Sequence, residues 1–265
     1  MEKCSEGRQA AYKLIDTSVF CGPWPFRSLR PRTLPELKEY LAGHGVCRAW
    51  VTSTEAVLLP DPMTANEPLL VEAAKDPFWV PVTLLDPSLP GWEDDYRRSL
   101  AMGARAVKLT PNYHQYSLSS PAVDRLAGLL TADRLPFCIQ MRMMDERAHH
   151  PLMKVPGVPA AEVAELALRH PELSVVACAV YNAELRFLQK APNVVAEISY
   201  VESVETLLQA KSVLGVERLL FGSHSPFLYM AAVQAKLDAH PDMINEVELR
   251  AVCYENAGRL IPDGR

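Results

Sequence analysis

Eight short apolar runs recur along this chain, separated by segments of helical periodicity. The runs cover residues 12–18, 46–53, 79–85, 104–110, 135–142, 173–180, 193–199 and 218–222. Such runs suit strands buried on both faces of a parallel sheet. The amphipathic segments cover residues 34–43, 66–75, 92–102, 120–131, 160–169, 183–189, 204–214, 227–239 and 245–260. Thr33 and Pro35 give the first of these a cap and an early proline. Strand–helix alternation predicts an α/β fold. Eight repeats predict closure into a (β/α)8 TIM barrel rather than an open doubly wound sheet.

Length agrees with one such barrel, which takes about 250 residues, against 265 here. Residues 1–10 read as a flexible N-terminal arm and residues 11–265 as the single barrel domain. Net charge is −5, with no basic cluster of the kind that nucleic acid selects. The six cysteines, Cys4, Cys21, Cys47, Cys138, Cys178 and Cys253, have no C-x-x-C spacing and read as reduced thiols of a cytoplasmic protein. The N-terminus has no apolar core of a signal peptide, and no stretch approaches a membrane span. Partners are therefore expected among small molecules, not nucleic acids or membranes. A second copy of the chain is a further candidate, through the apolar segment 227–230 or with that segment as helix core instead.

In a barrel, the loops after the strands form the active face. Residues 20–32, 111–118, 143–158 and 223–228 thus surround one mouth. The segment 143–158 is the longest irregular stretch, which is unusual unless it covers a site.

Several strand ends resemble the amidohydrolase superfamily, in its amidohydrolase-related, metal-dependent hydrolase-like branch. Leu14-Ile15-Asp16-Thr17-Ser18-Val19-Phe20 stands where the family has I-D-x-H-x-H. Gly103-Ala104-Arg105-Ala106-Val107-Lys108-Leu109-Thr110-Pro111 is similar to G-x-x-G-I-K-L-H-P. Leu135-Pro136-Phe137-Cys138-Ile139-Gln140 is similar to L-P-V-x-I-H, and Leu219-Leu220-Phe221-Gly222-Ser223-His224-Ser225-Pro226 to L-F-G-S-D-x-P. The resemblance implies a barrel and a hydrolase, lactonase or decarboxylase activity without selecting among them.

The family's metal ligands are displaced. Its strand-one histidines fall on Ser18 and Phe20, its strand-five histidine on Gln140, its strand-six histidine near Cys178 or Ala179, and its strand-eight aspartate on His224. Zinc takes about three protein ligands in a catalytic site, so no metal cofactor is expected. The alternative is a site rebuilt from His114, His149, His150 and His224 with Asp16, Asp145 or Glu146. His44, His170 and His240 sit near predicted helix ends and read as solvated.

What remains is a polar mouth. By strand alternation Asp16 and Ser18 share a side, and His224 emerges from the neighbouring strand. Asp16 then orients His224 and raises its pKa, making it a general base. Ser18 is a nucleophile or a hydrogen-bond donor; the alternative for all three is a structural polar cluster closing the barrel. Lys108 binds an anion or pairs with Asp16 or Glu197. In some relatives a lysine on that strand is carboxylated and bridges two metals, a role without purpose when the histidines are gone. Arg142 and Arg147 can grip a carboxylate, although Asp145 and Glu146 offer Arg147 a local partner. Gln140, Tyr113, His114, Tyr116, Tyr181 and Asn182 add polar contacts. Trp24, Pro25 and Phe26 wall the pocket or pack on the barrel helices. The expected function is a metal-independent hydrolase or lyase for a small carboxylate-bearing substrate. Its rivals are a non-catalytic binding pseudoenzyme and a metal enzyme with relocated ligands.

Overall fold

The computed structural model describes residues 13–203, 205–238 and 243–261. The arm expected over residues 1–10, Cys4 and His240 lie outside them. The strands are β1 Leu14–Cys21, β2 Val46–Ser53, β3 Trp79–Leu84, β4 Ala106–Leu109, β5 Phe137–Gln140, β6 Val175–Cys178, β7 Val194–Glu197 and β8 Leu219–Leu220. They pair in parallel in chain order. The ring closes where Thr17 N–H donates to Phe221 O at 3.0 Å and Phe20 N–H to Ser225 O at 2.8 Å, with a bridge between Val19 and Ser225. This is the (β/α)8 barrel that the eight runs imply.

The helices are α1 Leu34–Gly43, α2 Met63–Ala73, α3 Trp92–Ala101, α4 Pro111–His114, α5 Pro121–Asp133, α6 Ala160–Arg169, α7 Leu185–Leu188, α8 Thr206–Leu214, α9 Met230–Asp238, α10 Glu246–Arg250 and α11 Asn256–Leu260. Thr33 and Glu36 form a capping box at α1, and Asn245 and Glu248 another at α10. Each satisfies N–H groups that a helix start leaves open. Helix α2 begins three residues before the amphipathic pattern, because Asp61 Oδ1 accepts from Met63 N–H at 2.9 Å and starts the turn. The segment read as one helix over 245–260 is interrupted by a π-helical turn, Ala251–Glu255. There the Val252 carbonyl accepts from Phe221 N–H of the β8 edge at 3.0 Å.

A large apolar layer lies between strands and helices, and a smaller one fills the barrel interior, including Ile15, Trp50, Val80, Val82, Ala106, Cys138 and Leu220. A third apolar group gathers at the mouth. In the segment 227–230, Phe227 and Met230 are buried and only Tyr229 is strongly exposed, so most of it is core. Among the described residues no helix is long and apolar enough to cross a membrane.

Strand β1 departs from simple alternation. Asp16 pairs with Ala49 and Val19 with Val51, so three steps on β1 match two on β2. This one-residue bulge re-aims the side chains that follow it. Ile15 faces the barrel interior and Val19 the helix layer, whereas unbroken alternation would put both on one side. Period-two alternation therefore does not hold across Asp16–Val19, and the placement of Asp16 and Ser18 rests on their contacts instead.

Strand β8 is only two residues long and is held from below. Asn256 Nδ2 donates to the carbonyls of Val216 and Leu219 at 2.8 and 2.7 Å. Replacing Asn256 with Leu should leave both without this donor and cost about 1–3 kcal/mol. Urea denaturation would show the midpoint falling with an unchanged slope.

Candidate active site at the barrel mouth

Asp16 is fully buried at the bulge. Its Oδ1 accepts from the N–H groups of Ser18 at 3.1 Å and Ser223 at 2.8 Å. Its Oδ2 has no hydrogen-bond partner among the described residues. Loss of hydration disfavours the anion, and the carboxyl pKa rises to about 7 despite those two donors. Glu197, at the end of β7, adds to the rise by like-charge repulsion. Glu197 is itself fully buried and pushed upward by desolvation. It accepts from Ala179 N–H, and from Ser199 N–H at 2.7 Å and Ser199 Oγ at 2.8 Å. Gly222 leaves it room, since a Cβ there would lie 2.6 Å from Glu197 Oε2.

His224 is also fully buried, but Asp16 does not orient it. Its Nε2 lies 2.8 Å from the Met143 carbonyl and its Nδ1 3.5 Å from Ser18 Oγ. A carbonyl can only accept, so Nε2 carries the proton and Nδ1 presents a lone pair to the serine hydroxyl. Rings of Phe20, Phe227 and Tyr200 surround it at 5.0, 5.1 and 5.2 Å between centroids. Desolvation drives its pKa down to about 3. The expected near-neutral histidine base is corrected on both counts, partner and pKa: the neutral-pH group is Asp16. His224 and Ala179 adopt left-handed φ values of 56° and 58°. Such backbone in non-glycine residues is sparsely populated and gathers at functional sites.

Lys108 points into the barrel interior from β4 and is almost completely buried. Its Nζ sits 4.4 Å from the centroid of the Phe20 ring. Among the described residues it forms no ion pair with Asp16 or Glu197, although its charge lowers the pKa of Glu197. The thiols of Cys138 and Cys178 meet nearby and feel the same charge.

The remaining candidates divide. Gln140 is buried; its Nε2 donates to Arg142 O at 2.7 Å, and its Oε1 lacks a partner among the described residues. Trp24 does wall the mouth: it is buried, donates to Met144 Sδ at 3.3 Å and stacks edgewise on Phe227. Together with Phe20, Leu29 and Met143 it covers the polar groups. Arg142 is not free to hold an anion. Its fork grips Glu184 at 2.5 and 2.9 Å, it donates to the Ala179 carbonyl, and its guanidinium lies 3.7 Å over the Tyr181 ring. Tyr181 is thus occupied as the floor of that pair. Asn182 bonds Gln209 at 2.9 Å, outside the barrel interior. His114 reaches sideways to the Val57 carbonyl at 3.2 Å and lies 3.7 Å from Asp86. Arg147 is held by Asp145.

A metal does not fit this donor set. His224 spends both ring nitrogens, Phe20 offers no lone pair where a histidine would stand, and Gln140 is anchored to backbone. His149 and His150 accept from the N–H groups of Val155 and Leu152 within their own loop. Among the described residues no three His, Cys, Asp or Glu side chains are grouped to hold an ion. The relocated-ligand arrangement is therefore not found among them.

Sequence reasoning undervalued Glu197, named only as a partner for Lys108. A lone acid closing the apolar run Val194-Val195-Ala196 was the available signal. The Met143 carbonyl and the Ser223 N–H are backbone groups that no side-chain pattern reveals.

A protein-family model described as amidohydrolase matches residues 33–262. Among solved structures, 5-carboxyvanillate decarboxylase from Sphingomonas paucimobilis superposes with a TM-score of 0.74 at 16% identity, covering 94% of this chain and 99% of that one. A dihydroxybenzoic acid decarboxylase from Polaromonas sp. JS666, with bound manganese and the inhibitor 2-nitroresorcinol, gives 0.71 at 16% over 94% and 96%. A probable 2-pyrone-4,6-dicarboxylic acid hydrolase from Acinetobacter baumannii, with citric acid bound, gives 0.63 at 14% over 93% and 98%. At these identities the likeness is one of fold. No curated protein matches the chain.

The two buried titrating groups pull stability in opposite directions with pH. Between 3.8 and about 7 the folded chain keeps a proton on Asp16 that the unfolded chain releases. Stability from this source falls as pH rises through that window. Between about 3 and 6.5 the unfolded chain protonates the imidazole that stays neutral in the fold, so stability from His224 is lost as pH falls. Asp16→Asn keeps the acceptor and removes the charge. Relative to the parent it should gain stability steadily between about pH 4 and pH 7, by on the order of 2–4 kcal/mol in all. Thermal unfolding of both proteins across that range checks this; a difference independent of pH contradicts it.

Proposed function

This chain belongs to the amidohydrolase family, and from that membership and the mouth geometry we propose a hydrolase or lyase for a small carboxylate-bearing substrate, working without the family's metal centre. The observation that carries the reading is Asp16: a fully buried carboxyl, pKa about 7, with one oxygen unpartnered among the described residues, beneath the mouth of a barrel. A carboxyl poised near neutrality is suited to take up and return a proton during turnover. Lys108 supplies the positive charge that draws the substrate carboxylate inward. Ser18, hydrogen-bonded to the fixed Nδ1 lone pair of His224, contacts the substrate or attacks it. Gln140 Oε1 offers a further acceptor. The solved neighbours act on or hold small carboxylates by their names, which agrees with the reading.

The aromatic cover over the site must lift for substrate to pass, through the loops that carry Trp24, Met143 and Phe227. That closure, with His224 held at a pKa of about 3, also favours a second reading, a binding barrel without turnover. The two separate in one experiment. A panel of small aromatic and aliphatic carboxylic acids, esters and lactones is screened for thermal stabilisation, then for carbon dioxide release or hydrolysis. We expect turnover that rises with pH to a plateau above about 7. In Asp16→Asn kcat should fall about 10²–10⁴-fold with the pH step abolished. Stabilisation without turnover would establish the binding barrel, and absence of both would sink the carboxylate reading.

A further inference from the structure

We propose that Lys108 is a covalent catalytic residue that condenses with the carbonyl carbon of a small 2-oxo acid to form an imine. The inference rests on the carboxylate reading above and names the substrate class and the reactive atom. It begins from where the ammonium lies. Lys108 projects into the barrel interior, almost wholly out of water, and its Nζ faces the ring of Phe20 at 4.4 Å from the centroid. Among the described residues no carboxylate is within ion-pair distance of it, which leaves the nitrogen facing the ring rather than an acid. Phe20 occupies a position where the family resemblance would put a metal ligand. The carbonyl-polarising role that a metal would fill is thereby open to an amine, and lysines in such surroundings serve as imine-forming nucleophiles.

The chemistry closes on groups already in place. Glu197 is fully buried at the end of β7 and senses the lysine charge directly. Glu197, too far for direct contact, accepts a proton from the ammonium through an intervening water. The free amine adds to the oxo carbon, the carbon–oxygen π bond breaks, and a carbinolamine forms. The same acid returns the proton to the carbinolamine oxygen, which leaves as water. The sum is one ammonium and one 2-oxo acid giving one iminium and one water. A 2-oxo acid suits this site because its carboxylate is drawn to the ammonium and its oxo carbon is the adjacent atom. The iminium then withdraws electrons from the neighbouring bonds, easing loss of carbon dioxide or of a proton.

The test is reductive trapping. The full chain is incubated with pyruvate or glyoxylate and borohydride, and the intact mass and peptide map are read. We expect one adduct per chain, equal in mass to the acid less one oxygen atom, located on Lys108. Glu197→Gln should slow trapping about tenfold, and Lys108→Met should lose the adduct. If Lys108→Met does not fold, the peptide map of the parent protein decides. An adduct spread over surface lysines, or none on Lys108, overturns the proposal. Thermal stabilisation by the same acids without any adduct on Lys108 also overturns it while leaving the carboxylate reading intact. If no carboxylate stabilises the protein, the underlying reading has failed as well.

Discussion

Enclosing an ammonium and two carboxyl groups inside a closed ring of eight strands is the constraint from which most of the mouth follows. Charges taken out of water need compensation from hydrogen bonds or from each other. Asp16 finds it in the N–H groups of Ser18 on β1 and of Ser223 just after β8, where the ring closes. Glu197 finds it in Ala179 and Ser199. Neither set is sufficient to keep the carboxyl at its ordinary pKa. Apart from the Ser199 hydroxyl, the carboxylate donors are backbone groups, so the strand ends must hold particular turns. The bulge in β1, the left-handed Ala179 and the glycine at 222 are the local forms those turns take. Even a remote lysine serves this end: Lys236 of α9 donates to the Ile198 and Ser199 carbonyls and holds the turn that bonds Glu197.

The barrel was legible in the sequence because its signal is periodic and local. Residues 46–53 were read as a strand and residues 34–43 and 160–169 as helices, and each appears with those bounds. Strands four to seven came out shorter, since apolar flanks such as Leu135 and Pro136 pack below the paired residues. The bulge was not legible, because it is a mismatch of register between two strands and neither strand alone encodes it. Arg142 was legible as a mouth arginine able to grip a carboxylate. Its partner was not: Glu184 is forty-two positions away and meets it only because the β6 loop folds back. Gly157 belongs to the same arrangement, as a Cβ there would lie 2.8 Å from an Arg142 nitrogen.

The histidine at 224 shows how a residue can be identified correctly as unusual and still be assigned the wrong chemistry. Its identity was plain in the sequence. Its behaviour depends on the Met143 carbonyl and on three aromatic rings, contributed by β1, the β7 loop and its own loop. Burial among rings removes the water that stabilises an imidazolium, and Lys108 adds repulsion. The resulting neutral imidazole is a hydrogen-bond acceptor of fixed tautomer rather than a proton carrier.

These replacements are mutually dependent. An acid at position 224 would be a third carboxyl beside Asp16 and Glu197, two groups whose pKa values are already raised. Lys108 is the cation that Glu197 and His224 feel, and a third buried negative charge would add to the repulsion between the two acids. A neutral imidazole adds no such charge. Phe20 completes the exchange: a second histidine would compete for the space above Lys108, whereas a ring face attracts the ammonium without neutralising it. On the proposed metal-independent reading, a buried amine faced by a ring and a neutral imidazole stand where the resemblance implies metal ligands.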